Sequence, residues 1–387
     1  MTGFGFLLAW VMAAGALSYT ALSVLSTFLI DEFAISRSSF GVLVAVLGLV
    51  GMISAPGVGA LTDSRGGVFA LRLLLGITAV GFAAIAIAPT YSLMVVAVML
   101  SGIGSTSGNP ITNNLIASYI PDGTRGLMVG VKHSGGQLGV LAASLALPGL
   151  AIAFGWRASV ALMLVVPLIG VAISKLAEPG LEIVDLEAVG RGHRPHKWRL
   201  IANAGLMGLG TSAVVAFLPL YGHQRLGMSV TRASALIGLI AGFAIVSRFL
   251  WGWYGDRFRV VTTPLLLIAV TSVLSTMSIA LSPAVGIPIL WVGAALAGIG
   301  TMAWHAAGML VVLHGANSHN SAKATAAVHV GFLGGWTIGP VAFGFAVDQA
   351  SYLTAWLGLV IVFCLAAIVV VGANTARTES ASIEGRT

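Results

Sequence analysis

Carboxylates are scarce in this chain: Asp and Glu number 12 in 387 residues, and none falls in the interior of an apolar run. Charged residues of both signs reach only 8%, against about 25% in soluble domains. With 58% hydrophobic residues, the chain lacks the polar surface that a water-soluble fold needs. Cysteine occurs once, at Cys364, which excludes an internal disulfide and a cysteine metal cluster. No Gly-x-x-x-x-Gly-Lys-Ser/Thr loop marks an ATP-driven pump. Neither a His-Glu-x-x-His helix nor a Gly-x-Ser-x-Gly turn marks a membrane enzyme. Neither a cofactor nor a metal is expected. Alternating strands of ~10 residues, the pattern of a membrane barrel, are missing as well.

What is present is a succession of apolar runs near the ~20 residues that cross a hydrocarbon core as helix. Twelve fall at roughly 5–30, 39–61, 69–88, 92–118, 127–150, 157–176, 199–221, 233–254, 262–282, 286–313, 324–347 and 353–373. The first is too long for a cleavable signal peptide. The 50 glycines suit close approach of membrane helices. Lys and Arg in the short loops set the orientation. Arg65, Arg72, Arg125, Lys175, Arg191, Arg194, Lys197, Arg199, Arg257, Arg259, Lys323 and Arg377 share one side, and Arg37, Arg157, Arg225 and Arg232 the other. Both termini are therefore expected in the cytoplasm, in a multi-pass protein of the bacterial inner membrane. The net charge of +7 reports this topology and not nucleic-acid binding.

The chain repeats itself. Ile35-Ser36-Arg37-Ser38-Ser39 recurs as Val230-Thr231-Arg232-Ala233-Ser234, and Gly59 with Asp63 recurs as Gly252 with Asp256. Ser101-Gly102-Ile103-Gly104 recurs as Ala297-Gly298-Ile299-Gly300, and Gly135-Gly136 as Gly334-Gly335. The offsets stay between about 193 and 199 residues and keep their order, which indicates an internal duplication. Six spans per half is an even number, so the halves share one orientation. The expected organisation is an N-terminal six-helix half (1–176), a polar cytoplasmic linker (177–198), a C-terminal six-helix half (199–376) and a tail (377–387). The last residues, Ile383-Glu384-Gly385-Arg386-Thr387, read as a protease-site remnant of protein expression.

The stretch Gly59-Ala60-Leu61-Thr62-Asp63-Ser64-Arg65-Gly66-Gly67 resembles the loop between spans two and three of the major facilitator superfamily. Gly252-Trp253-Tyr254-Gly255-Asp256-Arg257-Phe258-Arg259 is similar to its second copy. The resemblance covers essentially the whole chain and implies an all-α integral membrane protein of twelve helices in two parallel halves. It further implies that Asp63, Arg65, Asp256 and Arg257 serve gating.

Two cations, Lys132 and Arg248, lie in the interior of apolar runs, away from their ends, with no carboxylate near in sequence. A buried charge costs about 2.5–3.5 kcal/mol on insertion scales and is retained mostly where it works; the natural partner here is a mobile anion. Arg248 precedes Asp256 by eight residues, about 12 Å along a helix. Its four-residue spacing to Gly252 resembles span eight of the monocarboxylate and oxalate/formate carriers, whose arginine binds the substrate carboxylate. A guanidinium grips a carboxylate through two parallel hydrogen bonds. The Asp one turn before that arginine in animal proton-coupled carriers is Ala244 here, so their proton mechanism does not carry across. Gly130-Val131-Lys132-His133-Ser134-Gly135-Gly136-Gln137 resembles a Gly-x-Lys-Gln-x-Gly stretch of bacterial facilitators of cyanate and organic anions, with His133 in place of Gln.

His305, Asn109 in a Gly-Asn-Pro helix break, His329 and Tyr19 complete the candidates. A broken membrane helix frees backbone groups that line a cavity, and histidine titrates near neutral pH. The expected function is secondary transport of a small organic anion, a mono- or dicarboxylate, by alternating access. Anion exchange and proton symport through His133, His305 or His329 are the two coupling schemes. The alternative is proton-coupled efflux of drugs or other lipophilic compounds. Expected partners are the small anion, membrane lipids and coupling protons, with no nucleic acid, for a monomer.

Overall fold

The apolar runs fold as helices. The computed structural model describes residues 2–120, 122–177, 197–258, 263–304, 308 and 321–384. They form α1 (Thr2–Val24), α2 (Ser26–Phe33), α3 (Arg37–Arg65), α4 (Gly67–Ile87), α5 (Tyr91–Tyr119), α6 (Asp122–Phe154), α7 (Trp156–Met163) and α8 (Val165–Ile173). There follow α9 (Lys197–Leu226), α10 (Val230–Phe258), α11 (Thr263–Val285), α12 (Ile287–Ile299), α13 (Ser321–Gln349) and α14 (Tyr352–Glu384). No strand occurs among the described residues. Eleven helical stretches there are long and apolar enough to cross a membrane, α7 and α8 together making one, and Ile287–Ala303 is a shorter apolar helix. Most of the linker, residues 178–196, lies outside the described residues, as do His305 and 385–387.

The faces turned away from the helix contacts are apolar too: Ile53, Leu127, Leu145 and Ile361 are all exposed. Large exposed apolar surface of this kind needs lipid, not water, around it. Helix ends follow their local chemistry. Ser36 Oγ accepts from the Ser39 amide at 3.1 Å to cap α3, and Thr90 Oγ1 from the Leu93 amide at 3.4 Å to cap α5. The turn between α6 and α7 passes through Gly155 at φ 85°, a conformation that a Cβ disfavours.

The chain packs as two compact units. One comprises Met1–Glu187 with Ala216–Gly242, the other Ala188–Val215 with Phe243–Thr387. In the first, α1 lies along α6, and α5 lies against α3 and α4. Phe4, Leu7, Leu8 and Val11 of α1 share a core with Leu71, Leu74 and Leu75 of α4 and with Ile111 and Leu115 of α5. The 216–242 segment joins this unit through specific contacts. Phe217 meets Phe40 edge to face at 5.5 Å, Arg37 Nη2 donates to Gln224 Oε1 at 3.1 Å, and Ser234 Oγ donates to the Val24 carbonyl at 3.4 Å. In the second unit, α11 packs on α12 and α14, and α13 on α14.

Candidate functional site

Asn109, Thr112 and Asn113 stand at i, i+3 and i+4 on α5, so the helix presents them on one face. Pro110 lies inside the same helix, where it removes a backbone N–H. Lys132, one turn into the apolar part of α6, is fully buried. Its Nζ lies 2.8 Å from Asn109 Oδ1, 3.0 Å from Thr112 Oγ1 and 3.5 Å from the Asn109 carbonyl oxygen, with Asn113 Oδ1 as the fourth oxygen against it. The Thr112 hydroxyl gives its own proton to the Gly108 carbonyl at 2.7 Å, so towards Lys132 it accepts. Amide oxygens only accept. Three side-chain acceptors therefore face one nitrogen, and the complement is the three N–H bonds of an ammonium. Every oxygen in this shell is neutral, so the shell satisfies the hydrogen bonds of the lysine and leaves its charge uncancelled.

The structure thus joins Lys132 to Asn109, two residues singled out separately in the sequence. It adds Thr112 and Asn113, which the sequence reading missed; their spacing from Asn109 was the available signal. His133 and Tyr19 are half-buried and engaged in interactions of their own. Neither supplies an oxygen to the Lys132 shell.

The second unit carries the other cation. Arg248 is half-buried on α10 and engaged. Its neighbours in sequence hold a broken helix in place. α12 ends at Ile299, and the chain passes through Gly300 (φ −94°, ψ −84°) into a 3-10 turn, Thr301–Ala303. Three carbonyls around this break are bonded by side chains. Ser247 Oγ donates to Gly298 O at 3.1 Å, Trp251 Nε1 to Ile299 O at 3.0 Å, and Thr211 Oγ1 to Thr301 O at 3.3 Å. Buried peptide groups inside a membrane need such partners. Beyond the break, the Trp304 ring stacks on Phe332 at 5.0 Å and 7°, and its Nε1 donates to Asn203 Oδ1 at 2.7 Å. His329 is half-buried on α13, one turn before Phe332. His305, next to Trp304, lies outside the described residues.

Residues 7–319 match the family model described as Major Facilitator Superfamily. The chain belongs to that superfamily. It is a multi-pass membrane transporter and not an enzyme, and its all-α architecture is the major facilitator fold.

Similar solved structures span nearly the whole chain. A bacterial homolog of the human lysosomal transporter Spinster, in an inward-facing and occupied conformation, aligns with a TM-score of 0.79 at 16% identity over 96% of both chains. A point mutant of the nucleoside transporter NupG aligns at 0.78 with 14% identity, over 96% of this chain and 99% of that one. The xylose transporter XylE from E. coli aligns at 0.77 with 12% identity, over 95% and 97%. At these identities the likeness is one of fold.

Relatives by sequence match shorter stretches. The hexuronate transporter of Bacillus subtilis (strain 168) is 24% identical over 170 residues, 41% of this chain and 39% of its own length. The uncharacterized transporter y4wD of Sinorhizobium fredii (strain NBRC 101917 / NGR234) is 40% identical over 72 residues, 19% of each chain. The matched stretches thus cover well under two thirds of these relatives.

The superfamily loop after α3 places Asp63 and Arg65 at an exposed helix end, where the Arg65 guanidinium lies 5.4 Å from the centre of the Phe69 ring. Gly66, at φ 85°, makes the turn into α4. In the second copy, Asp256 and Arg257 fall in the last turns of α10, and their side chains lie outside the described part of the structure.

Proposed function

We propose that this transporter carries small organic anions, mono- or dicarboxylates, across the bacterial inner membrane by alternating access, with both termini in the cytoplasm. One observation carries the reading: a fully buried ammonium whose whole shell is neutral, in a chain with no carboxylate in the interior of its apolar runs. Such a charge raises the positive potential inside the protein and favours an anion as cargo. Arg248 is the proposed grip on the carboxylate, because a guanidinium matches its two oxygens. Tyr19, Asn109, His133, His305 and His329 are proposed to supply neutral hydrogen bonds around the cargo. Asp63, Arg65, Asp256 and Arg257 are proposed to act in gating. A hexuronate is itself a sugar carboxylate, so the name of the Bacillus subtilis relative agrees with this cargo class.

The test is thermal unfolding in detergent against carboxylates, inorganic anions, cations and lipophilic drugs. A ligand that binds the folded state raises the midpoint in proportion to ln(1 + [L]/Kd). One carboxylate class should stabilise the protein, and Arg248→Gln should abolish that response. Stabilisation by neutral or cationic drugs alone would overturn the reading in favour of lipophile efflux.

A further inference from the structure

The shell around Lys132 has the make-up of a metal-free cation site. We propose that Asn109, Thr112 and Asn113 form a binding site for a small monovalent cation, and that the ammonium of Lys132 is its tethered occupant.

Three features of the shell lead there. Its oxygens are two amides, one hydroxyl and one backbone carbonyl, a neutral set. Divalent ions draw carboxylates into their shells, and none is present here. Three of these oxygens lie at hydrogen-bond distance from the lysine nitrogen, 2.8, 3.0 and 3.5 Å, where magnesium demands ~2.0–2.1 Å. The shell's residues belong to a single helix that does not carry the lysine. Its side chains share one face of α5, and Thr112 is fixed by its bond to the Gly108 carbonyl. The cation arrives from a different helix.

That last point gives the ammonium a mechanical role. α6 packs chiefly along α1 and touches α5 sparingly, so the Lys132 shell is one of the few joints between α5 and α6. It closes beside Pro110, where α5 has lost a backbone hydrogen bond. A carrier with a diffusible ion at this joint would need that ion to complete its structure. With the ion bonded to the chain, the joint is always filled, and the native protein needs no diffusible cation at this place. The proposal concerns a cation and stands apart from the identity of the anionic cargo.

The experiment removes the tether and leaves the oxygens. Lys132→Ala is purified in detergent in choline chloride, and its unfolding midpoint is measured in about 100 mM ammonium, methylammonium, sodium or potassium chloride. Chloride stays constant, so only the cation varies and no organic anion enters. Ammonium and methylammonium should raise the midpoint of the variant by about 3 °C or more over choline, while the native protein shows no difference between the salts. Recovery of monodisperse variant in ammonium but not in choline would count equally in support. A monodisperse variant that no small cation stabilises beyond choline overturns the proposal.

If Lys132→Ala is recovered in no salt, Asn113→Asp with Lys132 retained decides. Asn113 is the exposed member of the shell, and a carboxylate there should raise the midpoint by pairing with a resident cation. A lowered midpoint would overturn the site.

Discussion

Glu32 is the described carboxylate with the most definite surroundings. It accepts from Arg157 Nη2 at 3.0 Å and from Trp156 Nε1 at 3.2 Å, and Arg157 is further fixed by the carbonyls of Ala86 and Ala88. The hydrogen bond from Arg157 first, and that from Trp156 second, hold the Glu32 carboxyl below its ordinary value of 4.5. A depressed carboxyl stabilises the fold above its unfolded value, and that contribution is lost as pH falls through the folded value. The pair is well exposed, with 34% and 43% of the two side chains accessible, so solvent screens it and the effect is small. Below about pH 4.5 the native midpoint should fall more steeply than that of Glu32→Gln; superimposable pH profiles would show that the pair contributes nothing.

A larger effect is expected at Asn203, buried between the Trp304 indole and the Ala366 carbonyl at 2.7 and 3.0 Å. Asn203→Leu strands the indole N–H of Trp304, at a cost of about 1–3 kcal/mol, removes a second bond from the Ala366 carbonyl, and should lower the unfolding midpoint clearly. The embedded cations and Pro110 were legible in the sequence because charge and proline are rare inside apolar runs, but the helix break expected at Asn109-Pro110 is not found: α5 runs unbroken from Tyr91 to Tyr119. Thr112 and Asn113 were missed although their spacing from Asn109 could have marked them, and Asn203 was not legible because a lone small polar residue in a membrane helix fits packing and function equally well. Only the rotation of α5 towards α6 shows which role Thr112 and Asn113 take.

At the scale of the element, the apolar runs were read directly from length and composition, since a bilayer fixes how much helix must be apolar. The internal structure of one helix was not. Nothing in the run from residue 286 marks the end of α12 at Ile299 and the turn at Gly300, because glycine is everywhere in this chain. The break is held by donors from α9 and α10, far away in sequence. Pairwise helix contacts were equally hidden. Gly335 of α13 approaches α9 so closely that a Cβ there would run into the Gly205 carbonyl and lie 2.8 Å from the Leu209 amide nitrogen. Both are backbone atoms, which move only if a helix moves. Gly335→Val should therefore cost about 1–3 kcal/mol through overpacking and shift the protein towards aggregation on size-exclusion chromatography. Gly334, its neighbour, has open space at the same position, and Gly334→Ala should leave the elution profile unchanged.

For the whole molecule, the sequence repeat and the packing describe different divisions. The repeat proposes two halves in chain order, while the compact units exchange parts of α9 and α10. If the cargo is an anion, as proposed, embedded cations make exchange the expected coupling scheme. A carrier with embedded cations returns empty only by rearranging around charge that the cargo no longer balances, and a penalty of only about 1.4 kcal/mol slows that step about tenfold. With cargo on both sides the return step runs loaded and the penalty disappears. Uptake of a labelled carboxylate, once identified by thermal shift, should thus be about tenfold faster into vesicles preloaded with the same anion than into empty ones. Proton symport through His329 or His133 makes the opposite forecast: empty vesicles fill rapidly when the outside is acidified, and preloading adds little. Equal initial rates in preloaded and empty vesicles under an acid-outside gradient would sink exchange and leave the histidines as the coupling groups. A rate that follows internal anion and ignores the pH gradient would place the coupling in the charge balance of the embedded cations.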